Sequence, residues 1–566
     1  MAETLISPGV LARENDQSFI TAQPVTVGAA IIGPTVKGPV EVPTVVTSYS
    51  QFQNTFGTTL TSGSNVYTYF TSIAAYNYFQ NGGQSLLVAR VVSGSYTAAA
   101  STAISGSTSL TVLELETISK GVIMNSSSSL DVSGSLASGS ADNVRWQILN
   151  SNTSSGTFDL LIRRGNDNNN APVVLETWTN LSMDPFSTNY VAKVLGDQTY
   201  NYASSGTSYY LEITGSYPVN SKYVRVKAVN NPTPRYLDNN GIAKVQYTAS
   251  IPVNASGSFT GATGDVKGGA NFYEKINSTN TQGLVGGNYT NMINLLSNSD
   301  DYKFNVLLTP GLYNADYASQ ISGIISNTEN RGDNIYVVDL VGYNSQVATV
   351  VGQAASRNSS YAAAYWPWMQ VLDPDSGQQV WVPASTLIGG VYAFNDSVSE
   401  PWFAPAGISR GGLSQVVRPE RKLAQSDRDT LYTGKVNPIA TFPGQGVVVY
   451  GQKTLQTAAS ALDRISVRRL LVALKSYISQ VANNLVFEQN TIATRNSFLA
   501  QVNPYLESVQ QRQGLYAFRV VMDESNNTPD VIDRNQLVGQ IYLQPTRTAE
   551  FIYLDFNITP TGVTFP

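Results

Sequence analysis

Three apolar runs, FNVLLTPG (304–311), NIYVVDL (334–340) and YAAAYWPWMQV (361–371), decide the fold class. Each is rich in aliphatic and aromatic residues, as a buried strand is. Segments at about 316–327 and 344–357 lie between them and read as helices, and a short helix at about 289–297 comes first. Strands alternating with helices of this length predict a parallel sheet, because a chain that re-enters a sheet in the same direction must first cross its face.

Working toward the N-terminus, SLLVARVV (85–92) and VGAAIIG (27–33) are further buried strands. Between them YSQFQNTFG (49–57) reads as a short helix with a glycine stop. Val66 to Asn81, with Tyr69, Phe70, Ile73, Tyr76 and Phe79 at helical spacing, reads as a longer one ended by Gly82-Gly83. Residues 94–160 are dominated by Ser, Gly, Thr and Ala and residues 196–285 by Gly, Ser, Thr and Asn, with strands expected at 110–115, 157–163, 209–213 and 222–228. Toward the C-terminus, Leu462, Ile465, Val467, Leu471, Leu474, Ile478, Val481 and Leu485 step by threes and fours along the longest helix. Helices near 491–500 and 504–512 follow, then strands near 515–522, 537–544 and 549–558. In the last strand Ile552, Leu554, Phe556 and Ile558 alternate with Phe551, Tyr553, Asp555 and Asn557.

The fold class expected is α+β, mixed and multidomain: an α/β core with helices on a mixed sheet, inserted β domains, and extended N- and C-terminal arms. The boundaries expected are an arm at 1–22, an inner core of 23–92 plus 373–545, an inserted β-rich domain at 93–160, a middle α/β domain at 161–372 with a polar β-rich insertion at about 196–285, and a C-terminal arm at 546–566. Residues 1–22 have no helical period. Their apolar Ile6, Val10, Leu11, Phe19 and Ile20 suit a strand that pairs with something else.

Composition narrows the function. With no Cys and no His among 566 residues, the chain lacks the parts of Ser-His-Asp triads, Cys-His dyads, disulfides and the common zinc sites. Carboxylate pairs, lysine nucleophiles and Mg²⁺ sites remain open. Charged residues make up 13% and the net charge is −5, which does not suit a globally basic nucleic-acid binder. An uncharged polar surface costs less to desolvate against a partner than a charged one. The N-terminus shows no basic region followed by an apolar run, and no 18-residue apolar stretch exists, so neither a signal peptide nor a membrane-inserted helix is expected.

Motifs that carry chemistry are weak. Gly444-Gln445-Gly446 with Gly451 has the wrong spacing for a dinucleotide loop, and Gly434-Lys435 leads into Val436 rather than Ser or Thr. Arg331-Gly332-Asp333 and the run 296–301 read as turns. Asp373, Asp375 and Asp396 have the groups for hydrolysis or Mg²⁺ binding, but Asp-rich turns are common. One charge feature stands out: residues 410–475 hold eleven basic side chains against four acidic ones. It reads as a solvated face with internal ion pairs or as a basic face for an acidic partner; nucleic acid is a third reading that no aromatic interleaving or binding motif supports.

Several segments, in order along the chain, resemble the tail-sheath proteins of contractile bacteriophage tails and bacteriocin-like particles. They are Leu5 to Val10, Gly33 to Pro39, Phe52 to Gly57, Gly82-Gly83 before Val88-Ala89-Arg90-Val91, Glu176 to Pro185, and Asn437-Pro438-Ile439. The most specific is SEPWFAPAG (399–407), with Glu400, Pro401, Trp402, Pro405 and Gly407, followed by Arg410-Gly411. The resemblance covers roughly 1–92, 158–195 and 289–566, and the polar stretches between carry none of it.

The resemblance implies a structural subunit rather than an enzyme, needing no cofactor and no nucleotide. Such subunits stack as hexameric rings around a tail tube and contract, driving the tube through the host envelope. Partners implied are further copies of the chain, the tube protein, and the baseplate and tail terminator proteins, with no nucleic acid and no membrane insertion. The location implied is the virion tail, assembled in the host cytoplasm. The arms, with Ile6, Val10, Leu11, Phe19, Ile20, Ile552, Leu554, Phe556 and Ile558, would add strands to neighbouring subunits. The C-terminal region would face the tube, with Arg464, Arg468, Arg469 and Lys475 as the contact, and the inserted domains would face outward. A baseplate or adhesin β protein is the alternative, and a carboxylate hydrolase a more distant one.

Overall fold

The computed structural model describes residues 27–62, 65–266 and 273–553. At its centre is one eight-stranded sheet. Its strands run in the order Thr44–Val46, Leu86–Arg90, Val27–Gly33, Phe304–Tyr313, Ile335–Asp339, Ala362–Trp366, Val436–Phe442 and Gly446–Val449. Every pairing from Leu86–Arg90 across to Val436–Phe442 is parallel, and the two edge strands are antiparallel. The three opening runs therefore sit side by side, as their rhythm predicts.

Strand side chains alternate between faces, and both faces are covered. On one, Ala29, Ile31, Val306, Leu308 and Val337 meet Phe52 and Phe56 of the helix Tyr49–Phe56, Ile73 and Tyr78 of Phe70–Gln80, and Leu387 and Val391 of Ser385–Val398. On the other, Ala30, Ile32, Leu307, Tyr336 and Val338 meet the helices Thr290–Leu295, Ala318–Arg331, Val347–Ala355 and Gln425–Thr433. Burying each such aliphatic side chain stabilises the fold by about 1.5–3 kcal/mol.

This sheet redraws the expected domains. Residues 27–90 and 304–366 share one sheet, so the expected division between an inner core and a 161–372 middle domain does not hold. The inserted unit is also larger than 93–160. Strands between Ala98 and Thr260 form a four-stranded and a five-stranded sheet around one core that includes Ala99, Leu115, Trp146, Leu160, Leu181, Val224 and Phe259. Polar turns on the surface concealed this continuity, because the shared core is made by residues far apart in sequence.

Two elements differ locally from expectation. Residues 65–68 are a strand paired with Thr59–Ser62, and the helix begins only at Phe70. Val66, Tyr67 and Thr68 are β-branched or aromatic, and that preference prevails there. The two helices expected around 491–512 are one, Ile492–Gln511, with Pro504 inside it. Pro504 is exposed, so the carbonyl it leaves without an N–H faces water, while Phe498, Val502, Leu506 and Val509 anchor both halves.

The C-terminal unit joins this helix to Ile465–Asn483 and the hairpin Leu515–Val521/Gln540–Pro545 through a separate apolar core. The expected third strand is not formed at 549–553, and Leu554, Phe556 and Ile558 lie outside the described residues, as do Ile6, Val10, Leu11, Phe19 and Ile20.

Candidate assembly surface of the C-terminal unit

The segment SEPWFAPAG leaves the end of the helix Ser385–Val398 and bridges two cores. Trp402 is buried among Leu470, Leu474, Phe498, Val502, Leu506 and Val509, and its indole Nε1 donates to the Arg512 carbonyl at 3.0 Å. Glu400 accepts from Arg512 Nη1 at 2.6 Å. Gly407 adopts φ 81°, which favours glycine, and its N–H donates to the Val449 carbonyl on the sheet edge at 2.8 Å. Pro405 is buried and Pro401 half-buried in the same turn. The segment thus pins the C-terminal unit to the sheet with one large side chain and a few directed hydrogen bonds.

The basic residues expected to face a partner are placed unevenly. Arg469 is 5% exposed and donates to Asp396 at 2.5 Å beneath the Tyr392 ring. Arg468 is 4% exposed, lies over the Tyr361 ring at 3.9 Å and donates to Ser360. Arg464 is half-buried and paired with Asp463 and Glu550. Only Lys475 is exposed, and it donates to the Tyr361 hydroxyl at 3.2 Å. The four therefore do not form one exposed basic face. A 3.6-residue period cannot tell a solvent face from a contact between units, and here the arginines fill the seam between helix and sheet. Lys435 and Lys453 likewise turn inward onto backbone carbonyls.

A residue that the sequence reading passed over organises the surface. The Glu550 carboxylate accepts from Arg464 Nε at 2.6 Å, the Tyr432 hydroxyl at 2.5 Å and Gln452 Nε2 at 3.0 Å. Burial pushes its pKa up, but the hydrogen bonds and charge of Arg464, with those of Tyr432 and Gln452, outweigh this and hold it below the usual glutamate range. Thr548 adds a contact to Gln452. This node ties the stretch 546–550 to the core, and the chain then emerges with Phe551, Ile552 and Tyr553 exposed, Ile552 at 76%. Its partners stand 86 to 118 positions away, and nothing in the local sequence marks them.

Beside this exit, the closing hairpin pairs only with itself, so among the described residues neither of its outer edges carries a further strand. Along Gln540–Pro545 exposure alternates, with Gln540, Tyr542 and Gln544 outward and Ile541 and Leu543 against the helices. A two-stranded ribbon with open edges and one covered face is a template for strand addition.

The carboxylates considered for hydrolysis hold structure together. Asp373 accepts from Thr68 and Ser376, Asp375 from Tyr49 and Gln53, and Asp396 from Arg469. Among the described residues no group of three or more His, Cys, Asp or Glu side chains is placed to hold a metal ion, and no helix is long and apolar enough to cross a membrane.

Comparison with known proteins places this architecture. The phage tail sheath protein central domain matches residues 284–455, and the phage tail sheath C-terminal domain matches residues 457–559. The tail sheath protein of Vibrio phage KVP40 is 40% identical over 240 residues, 42% of this chain and 36% of that protein. The tail sheath protein of Enterobacteria phage T4 is 37% identical over 229 residues, 40% of this chain and 35% of that protein. The match thus spans about a third of the length of these relatives. A sheath tail protein from Listeria innocua shares the fold, with a TM-score of 0.52 at 9% identity over 92% of this chain and 96% of that one. Over residues 284–559, the region that builds the sheet's second half and the C-terminal unit, this chain is similar to the phage tail sheath family.

Proposed function

We propose that this protein is a structural subunit of a contractile tail sheath. It polymerises with its own copies as stacked rings around a tail tube, and contraction drives the tube through a host envelope. The observation that carries this reading is the open-edged hairpin Leu515–Val521/Gln540–Pro545 beside an exiting segment with exposed Phe551, Ile552 and Tyr553. A segment leaving one copy can pair with the hairpin of the next, since main-chain hydrogen bonds tie strands together without a dedicated pocket. Such a link stays intact while the folded units slide, so two packings of the same subunits can share one connectivity. On this reading the difference between packings drives the motion, with no cofactor or catalytic group, and the chain is a component of the virion tail.

Negative-stain electron microscopy of the purified full chain, alone and mixed with the cognate tube protein, tests the reading. Striated tubes or six-fold rings are expected. Dispersed monomers or trimers in the presence of intact tubes would refute it.

A further inference from the structure

A polar cleft lies where the sheet core meets the inserted unit, far from the C-terminal hairpin in sequence. Its volume is about 360 Å³, within the range of small-ligand clefts. Glu41, Asn288 and Asn291 line it from the core, Lys120 from the inserted unit, and Tyr200 and Tyr202 from the hairpin Thr199–Ser205/Ser208–Thr214.

The polar groups of this cleft are held but incompletely used. Glu41 Oε1 accepts from Asn291 Nδ2 at 2.9 Å, and its Oε2 has no partner among the described residues. Asn288 Oδ1 accepts from the Val285 N–H at 2.9 Å, leaving its amide donors available. Lys120 Nζ makes no hydrogen bond or ion pair among the described residues. Glu41 attracts it without an ion pair closing, and desolvation followed by the Arg90 charge lowers its pKa. Arg90 itself sits behind the lining, with its Nη atoms on the carbonyls of Val36, Gly38 and Lys120.

Two further features separate this cleft from an ordinary crevice. Glu41 has φ 58°, uncommon for a residue with a side chain, and its N–H is fixed to the Arg90 carbonyl at 3.1 Å. Such conformations cluster where a side chain must be presented to something. The Tyr200 hydroxyl donates to Gln198 Oε1 at 3.2 Å, so its ring is held while still lining the cleft beside Tyr202.

We propose that this cleft binds a neutral, hydroxyl-rich saccharide, with Glu41 and Asn291 accepting from, and Lys120 and Asn288 donating to, adjacent hydroxyls against the Tyr200 and Tyr202 rings. A hydroxyl both donates and accepts, so vicinal hydroxyls match a carboxylate and an ammonium that do not touch each other. An apolar ligand would leave these groups desolvated and unpaired. The proposal does not depend on polymerisation and concerns a different surface.

The test uses the full chain with methyl α-glucoside, methyl α-galactoside, N-acetylglucosamine and their disaccharides, with methyl glucuronide as the acidic comparison. Binding is read by saturation-transfer NMR and calorimetry. At least one neutral sugar is expected to bind, and Lys120→Met, which removes a charged hydrogen bond, and Tyr200→Ala, which removes a ring face, are each expected to weaken it by about tenfold. Lys120→Met should keep the parent's thermal midpoint, since Lys120 Nζ holds no internal partner, and Tyr200→Ala, which loses a half-buried ring and its bond to Gln198, should stay folded with a small drop in midpoint. The proposal is overturned if no neutral sugar binds, if only the glucuronide does, or if both folded variants bind as the parent does.

Discussion

Replacing Glu550 by Gln keeps the shape of the side chain and removes its charge, which isolates the node that holds the C-terminal segment. The parent carboxylate accepts from Arg464, Tyr432 and Gln452 at 2.5–3.0 Å, with about a fifth of the side chain exposed. A hydrogen bond to a charged group contributes about 1.5–3 kcal/mol when buried, and partial exposure and the second partner of Arg464, Asp463, reduce that. A loss of about 1–2 kcal/mol is expected, which raises the open fraction of the segment by roughly 5- to 30-fold. The partners of Glu550, namely Arg464, Tyr432 and Gln452, lie outside the apolar core built around Trp402, so the loss should be local rather than global. Hydrogen exchange read by mass spectrometry should show faster exchange across 546–553 in E550Q, with the thermal midpoint unchanged. The same segment should loosen in acid. A carboxylate whose folded pKa lies below its unfolded value stabilises the fold above the unfolded pKa, and that contribution disappears as pH falls through the folded one. Unchanged exchange at 546–553 in E550Q, or a loss of protection spread over the whole chain, would refute the assignment of Glu550 as a local anchor.

Trp402→Ala should cost about 3–5 kcal/mol and produce an early unfolding step of the C-terminal unit in calorimetry, because it empties the centre of that unit's core. Glu400→Gln, which affects a pair with Arg512 Nη1 that is one-third to one-half exposed, should cost less than about 1 kcal/mol; an equal loss in both variants would contradict the ranking. Asp339 is buried against Ser385 and its pKa is pushed up to about 7 by desolvation. A raised carboxylate favours the fold in its protonated form, so stability should fall as pH rises from about 4 to 7 and then level. Asp339→Asn should reduce that slope in denaturant titrations, and Glu420, also raised to about 7 by burial, should supply the remainder. Ile552→Asp with Tyr553→Asp should abolish polymers on grids while leaving the thermal midpoint intact, since both side chains are exposed.

Elements whose residues are neighbours in the chain could be read from local sequence. The strands at 304–313, 335–339 and 362–366, the helices between them and the long helix 465–483 all announce themselves through apolar periodicity, which is a local property of the backbone. The motif SEPWFAPAG was legible in a different way, through its resemblance to tail-sheath proteins rather than through any local period. Tertiary structure alone decided which strands share a sheet. Pairing of Val27–Gly33 with Phe304–Tyr313 bridges the whole inserted unit, and no local signal encodes a partner about 275 residues away. It also decided which charges face water. Arg468 and Arg469 have the same sequence signature as solvated arginines, and only the Tyr361 and Tyr392 rings and Asp396, set above them by the fold, turned them inward. Glu550 was illegible for the same reason: an ion pair is defined by distance in space, and its three donors come from elements that the chain reaches long before it arrives at residue 550.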